Sequence, residues 1–290
     1  MDFNQYLDQA WTDHATDSLK VSQNFQAGFN LLQKESEVSD LAHLMTHVMG
    51  QHLGKWQDGI DWLNKLLDHP LSKDQDNQIA LKRYIASLEL ASGNRKNFDE
   101  FSASDKIRIY ALAANAVSEM KDSERTKSFF VAALELAQLG LSKEDPANRS
   151  LAATGNNLAC TLEEKKSRSP AEVEFMILAA ETGRKYWEIA GTWLQVERAE
   201  YRLSQTYLKA GDFKKSLEHA QNCIEISNEN SAPALELFFG YEALALVEKT
   251  RQNAVGFNKA LNHAEENFNK LSDADKAWCE KSLRSLKQLN

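Results

Sequence analysis

Apolar residues recur with the period of an α-helix along most of this chain, and this period constrains the fold more than any other feature. It is clearest in the segment QVERAEYRLSQTYLKAGDFKKSLEHAQNCIEIS, which begins at Gln195. One helical stripe there contains Ala199, Leu203, Tyr207 and Ala210. After a break at Gly211-Asp212, a second stripe contains Phe213, Leu217, Ala220 and Ile224. Because residues three and four apart lie on one helix face, the segment predicts two antiparallel helices joined by a tight turn.

Few residues interrupt the helical pattern elsewhere. The 290 residues include only 4 prolines and 12 glycines, and residues that keep most of their rotamer freedom in a helix dominate the longer segments. Each proline stands beside a polar or small-residue stretch, where its missing N–H costs least at a helix end. The four are Pro70, Pro146, Pro170 and Pro233. With 42% hydrophobic residues, the chain has enough apolar material for a core, and we expect an all-α fold.

The segment after Gln195 resembles the tetratricopeptide repeat (TPR), and in particular the bacterial type with long helices. That family has a large residue, Leu, a small residue and Tyr in its first helix, and spaced small residues in its second. The matching residues are Leu203, Ser204, Tyr207, Gly211, Phe213, Ser216, Ala220 and Cys223. Glu200 stands where the family usually has Trp, and Asn228 where it has a closing Pro. The resemblance implies a right-handed superhelical solenoid of antiparallel helix pairs.

Echoes of this pattern occur along the chain. Ala113, Leu158 and Leu203 occupy equivalent, equally spaced positions that lie farther apart than the ~34 residues of the standard repeat, so the helices or turns are expected to be long. We predict an N-terminal helical segment at residues 1–38, TPR-like helix pairs at 39–271 and a capping helix at 272–290. No linker rich in Pro, Gly or Ser divides the array.

Charge and cysteine content restrict the environment and the partners. A formal net charge of −8 argues against a general nucleic-acid or anionic-membrane surface, which needs clustered Lys and Arg. The N-terminal sequence MDFNQYLDQAW is unlike a secretion signal, and no segment has ~18 consecutive apolar residues, so we expect a cytoplasmic protein. Cys160, Cys223 and Cys279 are widely separated, which indicates buried thiols rather than a disulfide framework.

The sequence carries none of the common phosphate-binding, nucleophile or zinc-enzyme motifs, and we expect neither catalysis nor a cofactor. The most metal-like cluster is Asp40, His43 and His47, which share a helix face. One helix supplies only this partial set, so we predict that the three do not form a functional metal site. If they bound metal, His14 would be the first additional ligand to consider. His52 follows His47 by five residues and is expected to point away from it.

The resemblance to the TPR family also implies a binding surface on the concave face. In that family, a clamp for a partner's acidic C-terminus uses Lys and Asn on one first helix, Asn on the next, and Lys and Arg on the third. The matching positions here hold Ala111, Asn115, Asn157, Arg198 and Arg202. Ala111 departs from the family, and Arg108, one turn earlier, is its substitute. A polar stripe on one face of the third of these helices contains Arg198, Arg202, Gln205 and Lys209.

The two arginines leave an alternative open. Arg198 and Arg202 form a like-charge pair at i and i+4, which costs ~0.2–0.5 kcal/mol and which an external carboxylate would relieve. They would be equally satisfied by solvent or by acids on a neighbouring helix. Aromatic residues pose the same choice, because they could line a groove or fill the space between repeats. These residues are Trp187, Trp193, Phe238 and Phe239.

The function expected from this sequence is that of an adaptor or scaffold that binds a protein or peptide, with a clamp for an acidic segment or C-terminal carboxylate. One alternative is a ligand-sensing regulatory subunit, since bacterial peptide sensors use similar long-helix repeats. The other is an unrecognised helical enzyme, which would show a compact pocket with mutually close groups of perturbed pKa rather than an open groove.

Overall fold

The computed structural model describes residues 1–94, 98–120 and 122–289, and within them the protein is all-α, with no β-strand. The α-helices are α1 (Phe3–Asp13), α2 (Ser18–Gln23), α3 (Phe25–Leu31), α4 (Glu35–Thr46), α5 (Trp56–Asp68), α6 (Gln75–Ala91), α7 (Ala103–Ser118), α8 (Ser123–Ala137), α9 (Pro146–Glu163), α10 (Pro170–Ala190), α11 (Trp193–Ala210), α12 (Phe213–Glu229), α13 (Ala234–Thr250), α14 (Ala254–Asn269) and α15 (Asp273–Lys287). A π-helix (His47–His52) follows α4, and a 3₁₀ turn (Pro70–Ser72) follows α5. None of the helices in these ranges has the length and apolar character that crossing a bilayer requires.

N-capping side chains mark the start of many helices. Ser169 caps α10 and exchanges hydrogen bonds with Glu172 in a capping box, while Pro170 occupies the first turn, where a missing N–H is harmless. Thr192 and Gln195 form the same box at the start of α11. The other three prolines also lie at helix starts, as predicted.

The chain divides into two compact units, Met1–Thr154 and Gly155–Asn290, and the boundary falls within α9. In unit 1, consecutive helices from α5 to α8 pack against one another, and α4 packs against α5 and α6. A core cluster of this unit contains these fully buried side chains: Phe25, Leu41, Leu44, Met45, Leu63, Leu66, Leu81 and Leu88. The repeat-based boundaries at 38/39 and 271/272 separate segments of the predicted helix array rather than compact units, and they stay predictions. Asn290, the last residue of the predicted capping helix, lies outside the described residues.

Unit 2 contains the helix pair that the sequence predicts best. Gly211 ends α11 in the left-handed conformation (φ 85°), which costs a residue without Cβ little, and Asp212 caps α12. The first stripe is confirmed at Ala199, Leu203 and Tyr207, which are buried, whereas Ala210 at its end is half-buried. The second is wrong at its start, because Phe213 is 37% exposed. The buried face of α12 is instead made by Ser216, Ala220, Cys223 and Ser227.

One departure from the TPR pattern has a structural explanation. Glu200, at the usual Trp position, is only 4% exposed. Its carboxylate accepts hydrogen bonds from Arg184 Nε at 2.5 Å and His219 Nδ1 at 2.6 Å. Burial works to raise the pKa of Glu200, but the hydrogen bonds and charges of His219 and Arg184 outweigh it and lower this pKa. Glu200 is therefore the centre of a buried ionic network.

The last helix, α15, packs one face into the core of unit 2. Cys279, Leu283 and Leu286 are buried with Phe238 and Phe257. Cys223 is likewise buried, as predicted, whereas Cys160 is half-buried, and all three thiols are free. Burial is the main cause that raises the pKa of each thiol, to about 11 for Cys279, so the thiols remain protonated at neutral pH.

Candidate functional site

A pocket of about 390 Å³ in unit 2 contains both arginines that the sequence analysis singled out. We name it the α11 pocket. Its walls come from α9, α11, α13 and α15, and its lining residues are Asn156, Glu197, Arg198, Tyr201, Arg202, Leu235, Glu236, Phe239 and Trp278. A larger pocket of about 570 Å³ lies among α12, α13 and α14, but the groups that the sequence predicts for binding lie in the α11 pocket.

Helix periodicity explains why α11 supplies the floor of this pocket. Residues 197, 198, 201 and 202 fall on one face because they are spaced by three and four residues along the helix. Leu235, Glu236 and Phe239 follow the same spacing on α13, which packs against α11. The pocket is thus built on regular helices rather than on loops.

Arg198 makes a two-point ion pair across the pocket with Glu236 of α13. Its Nε donates to Oε2 at 3.1 Å and its Nη2 to Oε1 at 2.6 Å. The hydrogen bond to Glu236 raises the pKa of Arg198. The Arg198 side chain is 58% exposed, whereas that of Glu236 is 8% exposed. The pair therefore holds an accessible guanidinium against an interior carboxylate.

Arg202 also forms an ion pair, and its side chain is more buried than that of Arg198. Its Nη1 donates to Oε2 of Glu163 at 2.5 Å, and Thr206 donates to Oε1 of the same carboxylate. Burial works to lower the pKa of Arg202, but the charge and hydrogen bond of Glu163, together with the neighbouring Cys160 and Tyr201, outweigh it and raise this pKa. Within the described residues, Nε of Arg202 is buried and has no hydrogen-bond partner. Both arginines therefore reach acids on other helices, which is one of the alternatives that the sequence left open.

Beneath the arginines lies an interior carboxyl group, Glu197, which is 1% exposed. Its Oε1 accepts hydrogen bonds from Cys223 Sγ at 2.8 Å and from Ser227 Oγ at 3.3 Å. Burial, and then the charge of Glu236, raise the pKa of Glu197 to about 7. This group consequently changes its protonation state near neutral pH.

An aromatic wall closes one side of the pocket. Tyr201 and Phe239 meet edge to face with ring centroids 5.7 Å apart, and Phe239 meets Trp278 at 5.2 Å. Trp278 is 66% exposed, which is unusual for so large an apolar side chain. Of the four aromatic residues proposed from the sequence, Phe239 lines the pocket and Phe238 is buried in the core. Trp278 was missed, although a Trp among the Lys and Glu residues of a polar helix is a visible signal.

The remaining predicted site residues are distributed over both units. Arg108 and Asn115 lie in unit 1, where Arg108 is 3.7 Å from Asp105 and Asn115 Nδ2 donates to Thr154 Oγ1 at 3.1 Å. Burial, and then the charge of Arg83, lower the pKa of Arg108. The unit 2 residues are Asn157, Gln205 and Lys209, of which Asn157 and Lys209 are exposed and Gln205 half-buried. Asn156, not Asn157, lines the α11 pocket, and the five-residue clamp stays a prediction.

The histidines of unit 1 are arranged differently from the sequence-based expectation. His43 stacks on Tyr84, with ring centroids 6.4 Å apart, and does not join His47 in a set of converging ligand atoms. His52 does not point away from His47, because the two Nε2 atoms are 3.0 Å apart. The prediction was wrong because it assumed α-helical geometry, whereas residues 47–52 form a π-helix with bonds from i to i+5. Burial, and then the charges of His52, His14 and His43, lower the pKa of His47 to about 3.

Comparison with known proteins adds no further constraint on this site. No protein-family profile matches the chain, and no curated protein matches it.

Proposed function

We propose that this protein binds a segment of a partner protein in the α11 pocket, and that it works as an adaptor rather than as an enzyme. The observation that carries the proposal is the exposed aromatic wall beside an accessible arginine. Trp278, stacked edge to face on Phe239, offers apolar surface to a partner, and Trp and Arg are the residues most enriched at the energetic centres of protein interfaces.

The chemistry of the pocket favours one kind of occupant, an extended peptide with a large apolar side chain next to a carboxylate. The apolar side chain packs against Phe239 and Trp278. Arg198 uses Nε and Nη2 for Glu236, and because its side chain is 58% exposed, the outer edge of the guanidinium is open to a carboxylate of the peptide. Arg202 is committed to Glu163 and contributes mainly to the shape of the floor.

The proposal includes the finer features that the TPR resemblance implies: a right-handed superhelical stack, a concave binding face and a cytoplasmic location. Support comes from the lining, since α9, α11 and α13 are alternate helices of the chain, as expected for the inner face of stacked helix pairs. The net charge of −8 supports a protein partner over nucleic acid or an anionic membrane.

Selection from a random peptide library tests the proposal directly. We expect the protein to enrich peptides with an aromatic or large aliphatic residue adjacent to Asp, Glu or the C-terminal carboxylate. Affinity should fall at least tenfold with Trp278→Ala and in the double variant Arg198→Ala/Glu236→Gln, which avoids leaving Glu236 as an unpaired charge. Val255→Ala is the matched control, because Val255 is 81% exposed and lies on α14, away from the pocket lining. Peptides that bind both pocket variants as tightly as the wild type would refute the proposal.

A second candidate, an acid–base enzyme, is favoured by one observation, the pKa of about 7 at Glu197 in the pocket lining. A carboxyl group with such a pKa suits proton transfer. Its 1% exposure and its bonds to Cys223 and Ser227 favour an internal role instead. Turnover of any small molecule that disappears in Glu197→Gln, while peptide binding persists, would support the enzyme.

A further inference from the structure

Three histidines from two elements of unit 1 converge on one point. His14 is the residue that ends α1, and His47 and His52 are the first and last residues of the π-helix. One ring nitrogen from each lies within 4.8 Å of the other two, and the closest pair, Nε2 of His47 and Nε2 of His52, is 3.0 Å apart. The three rings are half-buried.

The π-helix is what brings two of these rings together. In an α-helix, residues five apart are rotated by about 140° around the axis and face different directions. Here Leu53 N donates to Val48 O at 3.1 Å, a bond from i to i+5 that widens the turn. Residues five apart are then rotated less far from one another than in an α-helix, and the His52 ring reaches that of His47. Gly50 allows this turn to pack closely, because a Cβ there would lie 2.9 Å from Leu88 Cδ2 and 3.1 Å from Ala116 Cβ. π-Helical turns occur frequently at functional sites.

Hydrogen bonds to the other ring nitrogens orient two of the imidazoles. His52 Nδ1 lies 2.9 Å from Oε2 of Glu119, whose Oε1 accepts from Gln51 Nε2 at 3.0 Å. His14 Nδ1 contacts the carbonyl oxygen of Trp11. Both contacts require a proton on Nδ1, and they leave the Nε2 lone pair available. Carboxylates and carbonyls in these positions are the usual outer partners of metal-binding histidines.

The nitrogen cluster has more acceptors than donors. With Nδ1 protonated on His14 and His52, both Nε2 atoms are acceptors, and the close contact between His47 and His52 requires a proton on Nε2 of His47. A metal ion can replace that proton and accept all three lone pairs. Nitrogens bound to a tetrahedral zinc at ~2.0–2.1 Å are about 3.4 Å apart, which small side-chain rotations reach from the spacings seen here.

We propose that His14, His47 and His52 bind one Zn²⁺ ion through their imidazole nitrogens, and that water completes the coordination. Three imidazoles without a bound carboxylate select a borderline metal such as zinc over Mg²⁺ and Ca²⁺, which require oxygen ligands. Trp11, whose ring centroid lies 5.1 Å from that of His14 and 5.2 Å from that of His47, covers the site with an apolar surface. The ion would tie the end of α1 to the π-helix.

This site differs from the set considered from the sequence. His47 belongs to both sets, but here its partners are His14 and His52, and Asp40 and His43 are not ligands. His43 provides a stringent control, since its ring centroid lies 5.2 Å from that of Trp11 and 6.5 Å from that of His47, yet it does not join the converging nitrogens. The proposal is independent of peptide binding in unit 2.

The zinc proposal is tested by calorimetric titration of ZnCl₂ into tag-free protein that has been treated with EDTA and desalted. We expect one Zn²⁺ per chain, a loss of affinity of at least about 100-fold in His14→Ala and His52→Ala, and a loss of ~10–100-fold in Glu119→Gln, which removes the charge behind His52. His43→Ala and His263→Ala, the latter in unit 2, should bind like the wild type. Far-UV circular dichroism establishes that each variant remains helical.

Co²⁺ binding to the wild-type protein provides a measurement that needs no variant. Bound Co²⁺ should give the intense visible absorption of a four-coordinate ion, and equimolar Zn²⁺ should remove it. Failure of the wild type to bind stoichiometric Zn²⁺, a weak six-coordinate Co²⁺ spectrum, or unchanged binding in the folded double variant His14→Ala/His52→Ala would each overturn the proposal.

Discussion

The two units bring polar side chains together in opposite ways. In unit 2 three arginines are each paired with an interior glutamate: Arg198 with Glu236, Arg202 with Glu163, and Arg184 with Glu200. In unit 1 the imidazoles of His14, His47 and His52, which are bases, turn ring nitrogens toward one another, and the outer nitrogens of His14 and His52 meet oxygen acceptors. A matched ion pair is neutral without a ligand, whereas converging lone pairs can accept a cation. The comparison teaches that a predicted cluster must be judged by what its partners leave unsatisfied.

The largest expected effect comes from breaking a matched pair in unit 2. Arg202→Ala leaves Glu163, whose side chain is 8% exposed, without its cation, and we expect the free energy of unfolding to fall by about 3–5 kcal/mol. The double variant Arg202→Met/Glu163→Met should recover most of that loss, because it removes both charges. Urea denaturation measures both. If Arg202→Ala costs less than about 1 kcal/mol, the pairing is not structural and Arg202 is available to a ligand.

A somewhat smaller effect concerns pH. The pKa of Glu197 is about 7 in the folded state against an ordinary value of 4.5, so the folded protein binds more protons between these pH values and its stability falls as pH rises through them. By pH 8 the cost is on the order of 3 kcal/mol. Glu197→Gln should remove this dependence and be more stable than the wild type at pH 8. Denaturation midpoints at pH 4.5 and 8 provide the check, and parallel pH profiles of the two proteins would contradict the assignment.

In unit 1 the corresponding effect depends on an added ion. Zinc at tenfold excess over its dissociation constant should stabilise the folded state by about 1.4 kcal/mol. Hydrogen exchange should slow in α1 and in residues 47–52, with no change in unit 2. His14→Gln should abolish the zinc effect and have little consequence without zinc. Slower exchange throughout both units would indicate binding elsewhere.

The smallest effect is expected from an exposed pair. Arg284 and Glu280 lie one turn apart on α15, 2.8 Å from each other, with side chains 66% and 63% exposed. Solvent screens such a pair, so Arg284→Ala should change the free energy of unfolding by less than about 0.5 kcal/mol. Thermal and urea unfolding of this variant calibrate the larger effects. A change comparable to that of Arg202→Ala would mean that exposure does not separate the two pairs.

How far the sequence predicts this structure depends on whether the information is local. The stripe through Ala199, Leu203 and Tyr207, the turn at Gly211 and the helix starts at the prolines follow from spacings of a few residues, and they were predicted correctly. The partners of Arg198 and Arg202 were not predicted, because Glu236 and Glu163 lie 38 and 39 residues away, and their register depends on packing between helices.

The histidine cluster was missed for a different reason. Its key pair is local, but a period of 3.6 residues was assumed where the chain has a wider turn. A wide turn leaves no clear mark on hydrophobic periodicity, since it lasts only six residues. His14, which lies 33 residues before His47, was suggested as an additional ligand, but nothing in the sequence tied it to His52.

The π-helix also affects which changes of length this protein tolerates. Adding one residue to an α-helix turns everything beyond it by about 100°, which would move buried side chains to the surface. A turn with bonds from i to i+5 takes up that extra residue within itself, so that the helices on either side keep their inward faces. Residues 47–52 can therefore be viewed as an insertion that the packing of α4 and α5 absorbs, and a single-residue deletion there should yield a regular helix that still folds but has lost the overlay of the two imidazoles.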